Sequence, residues 1–286
     1  MKKLVYPFIV IAGLTLAACG GNKSTSESST SIEKSTQTSK TTTTKESTTK
    51  TTTKASSDKT ASSESTTSQT QSSTNKASGP QKQAEQVLNQ LKTAFPNDAL
   101  PQAILTSQTA DYLSAATTPT SDQNNFRVLY YAQPQSIDVN DTALNELNPI
   151  ASFEKKTYAS AEEAAAAVNQ IIDNNGMKVD LGYGITGYQQ GAAGSSYLSW
   201  QEGNWSLVVR ASNIEGEKAE PLAKEAVEYL EKAMLPAPQS MGQITLTTNT
   251  NNQYQNNSVI WQKGNVVYTI QHFDAIQSLK MAVSTN

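Results

Sequence analysis

Residues 200–204 read Trp200-Gln201-Glu202-Gly203-Asn204, and the pattern returns about 60 residues later as Trp261-Gln262-Lys263-Gly264-Asn265. Four of the five positions are identical. Each copy follows a short extended stretch and precedes an alternating one. The first continues Trp205-Ser206-Leu207-Val208-Val209, the second Val266-Val267-Tyr268-Thr269-Ile270. Gly-Asn between such runs is a hairpin signal, because both residues tolerate a positive φ. A helical pattern follows each hairpin. The repeat predicts a duplicated strand–turn–strand–helix unit, with chance or shared turn chemistry as the alternative. Two antiparallel sheets, or one continuous sheet, covered by helices on one face would give an α+β fold.

The periodicity around the repeat agrees. Ala84, Val87, Leu88, Leu91 and Phe95 recur at helical spacing, so 81–95 reads as an amphipathic helix that stops before Pro96. A short helix is expected over Pro101–Ser107. Phe126–Gln133 reads as a buried strand and Pro149–Tyr158 as a second extended segment. Ser160-Ala161-Glu162-Glu163 has the form of a capping box, opening a helix that runs to a stop at Asn174–Gly176. Further helices are expected over 220–235, with Pro221 near its start and Met234 on its apolar face, and over Asp274–Val283.

The chain before this domain is of a different kind. Only 36% of the 286 residues are hydrophobic and 16% charged, both below the usual globular share. The deficit comes from residues 22–78, where 35 of 57 are Ser or Thr and Ile32 is the only large apolar side chain. Such a segment cannot offset its chain entropy by burial and is expected to stay disordered. As a coil it would span roughly 40 Å. Before it stand Met1-Lys2-Lys3, an apolar run from Leu4 to Ala18, and Cys19. That order matches a secretory signal peptide, and the run is short for a membrane span. The domain boundaries follow: 1–18 a signal peptide, 19–80 a modified N-terminus and linker, and 81–286 a folded domain. That domain holds 20 Asp and Glu against 12 Lys and Arg. Its acidity argues against nucleic acid as a partner.

Leu16-Ala17-Ala18-Cys19, followed by Gly20-Gly21, resembles the lipobox of bacterial lipoproteins. The resemblance implies cleavage between Ala18 and Cys19 and a diacylglyceryl group on the Cys19 thiol. The product would be a palmitate-bearing protein on the extracytoplasmic face of the cell membrane. Two acyl chains suffice for stable anchoring where one is marginal. A long Ser/Thr/Lys spacer after a lipobox is similar to those of Gram-positive surface lipoproteins. The second half also resembles uncharacterised lipoproteins of that group, in which a Trp-x-x-Gly hairpin leads to a helix ending near Leu-Pro-x-Pro, here Leu235-Pro236-Ala237-Pro238. This implies localisation and carries no catalytic residue.

Other constellations have plainer readings. Gly182-Tyr183-Gly184-Ile185-Thr186-Gly187 matches the dinucleotide pattern by letter, but no helix pattern follows it. Tyr183, Tyr188, Tyr197, Trp200 and Trp205 cluster among glycines. They could stack on sugar rings or grip a peptide, or fill the core, and the core reading is preferred. His272, the only histidine, has no Gly-x-Ser-x-Gly elbow to serve. Glu225, Glu228 and Glu231 lie three apart on one helix and read as a solvated face. Asp138-Val139-Asn140-Asp141 lacks the glycine of a calcium loop, and 249–257 reads as a polar loop. No cofactor and no metal site are expected.

The sequence therefore predicts a lipid-anchored extracytoplasmic domain that binds a cell-wall component or surface protein. Enzymatic activity is left open and disfavoured. The alternatives are a wall-polymer hydrolase that uses carboxylates, and a carrier or sensor of an apolar ligand.

Overall fold

At both Gly-Asn turns the chain reverses within two residues, Glu202 facing Trp205 and Lys263 facing Val266. Gly203 and Gly264 take φ values of 57° and 65°, whereas Asn204 and Asn265 are not in the positive-φ region. A positive φ at the first position alone is the pattern of a type II′ turn, which suits the right-handed twist of the flanking strands. Both expected hairpins are present, and each turn uses a positive φ only at its glycine. This computed structural model describes residues 79–105, 111–119, 121–249, 251 and 253–286. The signal-peptide and lipobox readings, and the linker as far as residue 78, lie outside the described residues. Gly79 and Pro80, expected in the linker, instead open the first helix, where proline is tolerated because its missing N–H would be unpaired anyway.

The two hairpins belong to one ten-stranded sheet. Its strands are β1 (Tyr112–Thr117), β2 (Phe126–Gln133), β3 (Ala151–Thr157), β4 (Met177–Gly182), β5 (Ile185–Ala192), β6 (Ser195–Glu202), β7 (Trp205–Ser212), β8 (Gly242–Thr247), β9 (Asn257–Lys263) and β10 (Val266–His272). The spatial order is β1-β2-β3-β10-β9-β8-β7-β6-β5-β4, so the continuous-sheet form of the α+β expectation is the one found. β7 and β8 are parallel, and every other neighbouring pair is antiparallel. A parallel pair needs a crossover, and the chain between β7 and β8 supplies it with a helix.

The helices are α1 (Gly79–Ala94), α2 (Ala161–Val168), α3 (Ala219–Leu230) and α4 (Ala275–Val283). Three of them bury their apolar sides on one sheet face. There Val87 and Leu91 of α1, Ala223 and Val227 of α3, and Leu279 and Met281 of α4 join one core with Phe153, Leu198, Trp200, Leu207, Ile244 and Ile270. Aromatic rings run across this face from Phe95 to Phe126, Phe153, Tyr268 and Trp261, with centroids 3.9, 6.0, 6.1 and 5.2 Å apart in turn. Lys155 and Asp98 form an ion pair of 2.8 Å at the edge of this row, both largely buried. α2 does not share the face. Its Ala164 and Val168 pack on Val267 and Ile260, which alternate to the opposite side of β10 and β9. The expectation of helices on one face is thus corrected.

The ends of the helices differ from expectation for local reasons. Ser160 Oγ accepts from the Glu163 amide at 3.2 Å, the first half of the capping box, while Glu163 reaches back one residue further than expected and accepts from the Ala159 amide. The helix then ends at Val168, not at 174–176, because Asn169 takes a φ of 52° and closes it. α3 stops at Leu230, leaving Met234 exposed rather than on the buried face. Residues 101–105 form no helix, and 106–107 lie outside the described residues. Other elements hold their backbone groups instead. Ser284 Oγ accepts from the Gln102 and Ala103 amides, and Gln277 donates to the Ala103 and Leu105 carbonyls.

Between α2 and β4 the chain crosses the second sheet face as a strap, residues 169–176. It passes over successive strands, and each holds it by a polar side chain. Gln243 of β8 accepts from the Ile171 amide at 2.8 Å. Ser206 of β7 donates to the Ile171 carbonyl. Ser199 of β6 donates to the Asp173 carbonyl at 2.7 Å. Gln190 of β5 donates to the Asp173 carboxylate and the Asn175 carbonyl. A non-regular segment over a sheet leaves backbone groups unpaired, and these side chains satisfy them. The strap delivers the chain to β4 at the far edge.

Candidate functional site

The turn from β4 to β5 is Tyr183-Gly184, closed by the pairing of Gly182 with Ile185. Tyr183 and Gly184 have φ values of 53° and 80°, as a type I′ turn requires. A bulky residue in the left-handed region is uncommon. Here the conformation carries the Tyr183 ring, 58% exposed, towards α3, where its hydroxyl donates to Glu228. Glu228 is also paired with Lys232. That pairing and the Tyr183 bond hold the Glu228 carboxyl below its usual range. The same bond pushes the Tyr183 phenol up, so at neutral pH it remains a hydrogen-bond donor.

Turn and helix enclose an open cavity of about 500 Å³, lined by Asp180, Leu181, Gly182, Tyr183, Lys224, Glu225 and Glu228. Lys224 pairs with Glu220 at 2.7 Å, which raises its ammonium above the ordinary value; Asp180 adds to this. Three carboxylates against one ammonium, beside an exposed aromatic ring, favour a ligand group with positive charge. The arrangement offers recognition. It presents no activated nucleophile.

The five aromatic residues of the sequence cluster separate. Trp200 and Trp205 are buried in the core under the helices. Trp205 lies so close to Gly242 that a Cβ there would meet the indole at 2.4 Å. Tyr188 is half-buried, and Tyr197 is exposed between Gln190 and Arg210 on the strap side. Tyr183 alone reaches the cavity, where it meets two of the three helix glutamates, Glu225 and Glu228. Sequence spacing points to each group separately. Asp180, Leu181 and Lys224 give no signal in the sequence, because only the packing of α3 on β4 brings them in.

Elsewhere the candidate groups have structural partners. His272 is fully buried, its Nδ1 accepting from the Asp274 amide at 2.9 Å and its Nε2 lying 3.2 Å from the Ile104 carbonyl. This pattern makes Nε2 the protonated nitrogen. Burial lowers the imidazole pKa from its ordinary 6.5. Asn140 takes a φ of 64° and bonds the backbone of β1 at Thr117 and Ala115, while Asp141 caps the 3-10 helix Thr142–Glu146. Asn257, at the end of the polar loop, is buried and donates to the His272 and Phe273 carbonyls. Glu202 is half-buried and accepts from the Trp200 indole at 2.7 Å. Its burial pushes the carboxyl above the usual range, against the indole bond, and Glu231 adds to the rise.

Among the described residues no group of three or more His, Cys, Asp or Glu is placed to hold a metal ion. No helix among them is long and apolar enough to cross a membrane. Comparison with protein families, with curated proteins and with solved structures finds no match for this chain.

Proposed function

We propose that the chain is a lipid-anchored protein of the extracytoplasmic face of the cell membrane, with a C-terminal domain that binds a wall component or surface protein. The observation that carries it is one order of segments: Lys2-Lys3, a short apolar run, Leu16-Ala17-Ala18-Cys19, a Ser/Thr-rich tract, then an acidic α+β domain. Such a tract would let the domain reach into the wall while its lipid stays in the bilayer. The cavity of Tyr183 supports binding rather than turnover, and its charge suits a ligand with a free amine. The cavity is open to solvent, whereas a site for an apolar cargo encloses most of its ligand.

One observation favours the hydrolase reading. Glu202 has a raised pKa beside a second carboxylate, Glu231, as an acid catalyst would need. Its hydrogen bond to a core indole ties it to the hairpin turn instead.

The anchor is tested by growing cells that express the chain with labelled fatty acid. The wild-type chain should take up label and sediment with membranes. Cys19→Ala should do neither. Label retained in Cys19→Ala would overturn the assignment.

A further inference from the structure

The two edges of the sheet are treated differently. β1 is covered: the Asn140 amide donates to the Ala115 carbonyl at 2.9 Å, Asn140 Oδ1 accepts from the Thr117 amide at 2.7 Å, and Ser114 bonds Ile137. At the other edge β4 pairs with β5 alone, and among the described residues no other backbone bond engages Met177–Leu181. An open edge is normally kept from self-pairing by charged side chains, a proline or a bulge, and the two charges β4 carries, Lys178 and Asp180, are of opposite sign and two residues apart. β4 reads Met177-Lys178-Val179-Asp180-Leu181, with no proline. Its one bulge falls after Asp180, at the turn.

This sequence is self-complementary. When two copies of β4 pair antiparallel about a two-fold axis at Val179, Lys178 of each copy stands opposite Asp180 of the other. Met177 stands opposite Leu181 of the second copy, and Val179 opposite Val179. Lys178 and Asp180 are exposed and alternate onto the same sheet face. Lys178 forms none of the ion pairs found among the described residues. Met177 is 64% exposed on the face that carries Val179 and Leu181. A two-fold interface must match itself, and here opposite charges meet twice while apolar residues meet on the other face. We infer that β4 is a homodimerisation edge, joining the sheets of two chains into one.

The test uses the full chain in detergent, followed by sedimentation from about 1 μM to about 100 μM. The wild type should pass from monomer to dimer. Lys178→Glu sets carboxylate against carboxylate at both cross-strand pairs, and Asp180→Lys sets ammonium against ammonium at both. Each reversal should weaken self-association about tenfold or more. Mixed together, the two variants bring opposite charges together again, carboxylates on one chain facing ammonium groups on the other. The mixture should therefore dimerise as the wild type does. Both positions are exposed, but Asp180→Lys also removes the acceptor of the Gly182 amide at 2.9 Å, so circular dichroism of each variant verifies that the fold persists. Asp180→Lys also brings a second cation near Lys224, and mixing separates that effect from the interface. A wild type monomeric throughout would overturn the inference. So would a dimer indifferent to both reversals, which would place its interface elsewhere.

Discussion

His272 shows how a residue that looks reactive in sequence becomes structural in the fold. Its ring bridges the Asp274 amide and the Ile104 carbonyl, so the segment 101–105, the end of β10 and the start of α4 meet on one imidazole. Protonation would put a charge in the core and turn the Nδ1 acceptor into a donor facing a donor. The folded-state pKa lies below the 6.5 of the free group, so the unfolded chain takes up this proton first as pH falls. The contribution is therefore complete above about pH 6.5 and is lost as pH drops through the lowered value. Thermal unfolding across pH 5–7 should show a steeper loss in the wild type than in His272→Gln. Equal slopes would show that His272 carries none of the acid sensitivity. The sequence holds no signal for this role, since Ile104 and His272 are joined only by the fold. The role of Asn257 is equally hidden there, because its carbonyl partners come from the far end of a hairpin.

At the scale of elements, the strap 169–176 joins the β1–β3 side of the sheet to the opposite edge and rests on polar side chains. Ile171 and Ile172 on it are 45% and 56% exposed, so burial contributes little to holding it. Gln243→Leu would remove the acceptor of the Ile171 amide and strand that donor at the sheet surface. The expected cost is about 1–3 kcal/mol. Limited proteolysis should then cut within 169–176 faster than in the wild type, while the core strands stay protected. Unchanged cleavage would mean that the strap is held by other contacts. Elements with strong local chemistry are legible in the sequence: both Gly-Asn hairpins, the Ser160 cap of α2, and β2 with its aromatic and β-branched run. β1 is not, because Ser114, Ala115 and Ala116 have weak strand preference and owe their place to α1 and β2. The strap reads as helix because Ile171 and Ile172 continue the helical spacing, while the αL closure at Asn169 depends on one residue.

At the scale of the molecule, the repeat corresponds to β6-β7-α3 and β9-β10-α4, and β10 joins the second copy to the first half through β3. α3 crosses the sheet so that β7 and β8 run parallel, and in doing so it places its acidic side beside Tyr183. The cavity is half legible: the tyrosine and the glutamates stand out in the sequence, but their meeting depends on the edge position of β4. Its chemistry and the proposed tether both direct attention to wall fragments that carry an amine. The most direct measurement is titration calorimetry of the full chain with amine-bearing peptidoglycan fragments and their N-acetylated counterparts, followed by mass analysis of the fragments. The prediction is saturable binding of the amine form, loss of binding on acetylation, roughly tenfold weaker binding in Tyr183→Ala, and fragments of unchanged mass. Absence of binding would contradict the assignment of the cavity to an amine-bearing wall fragment, and fragments shortened by the wild type but not by Glu202→Gln would contradict a binding domain altogether.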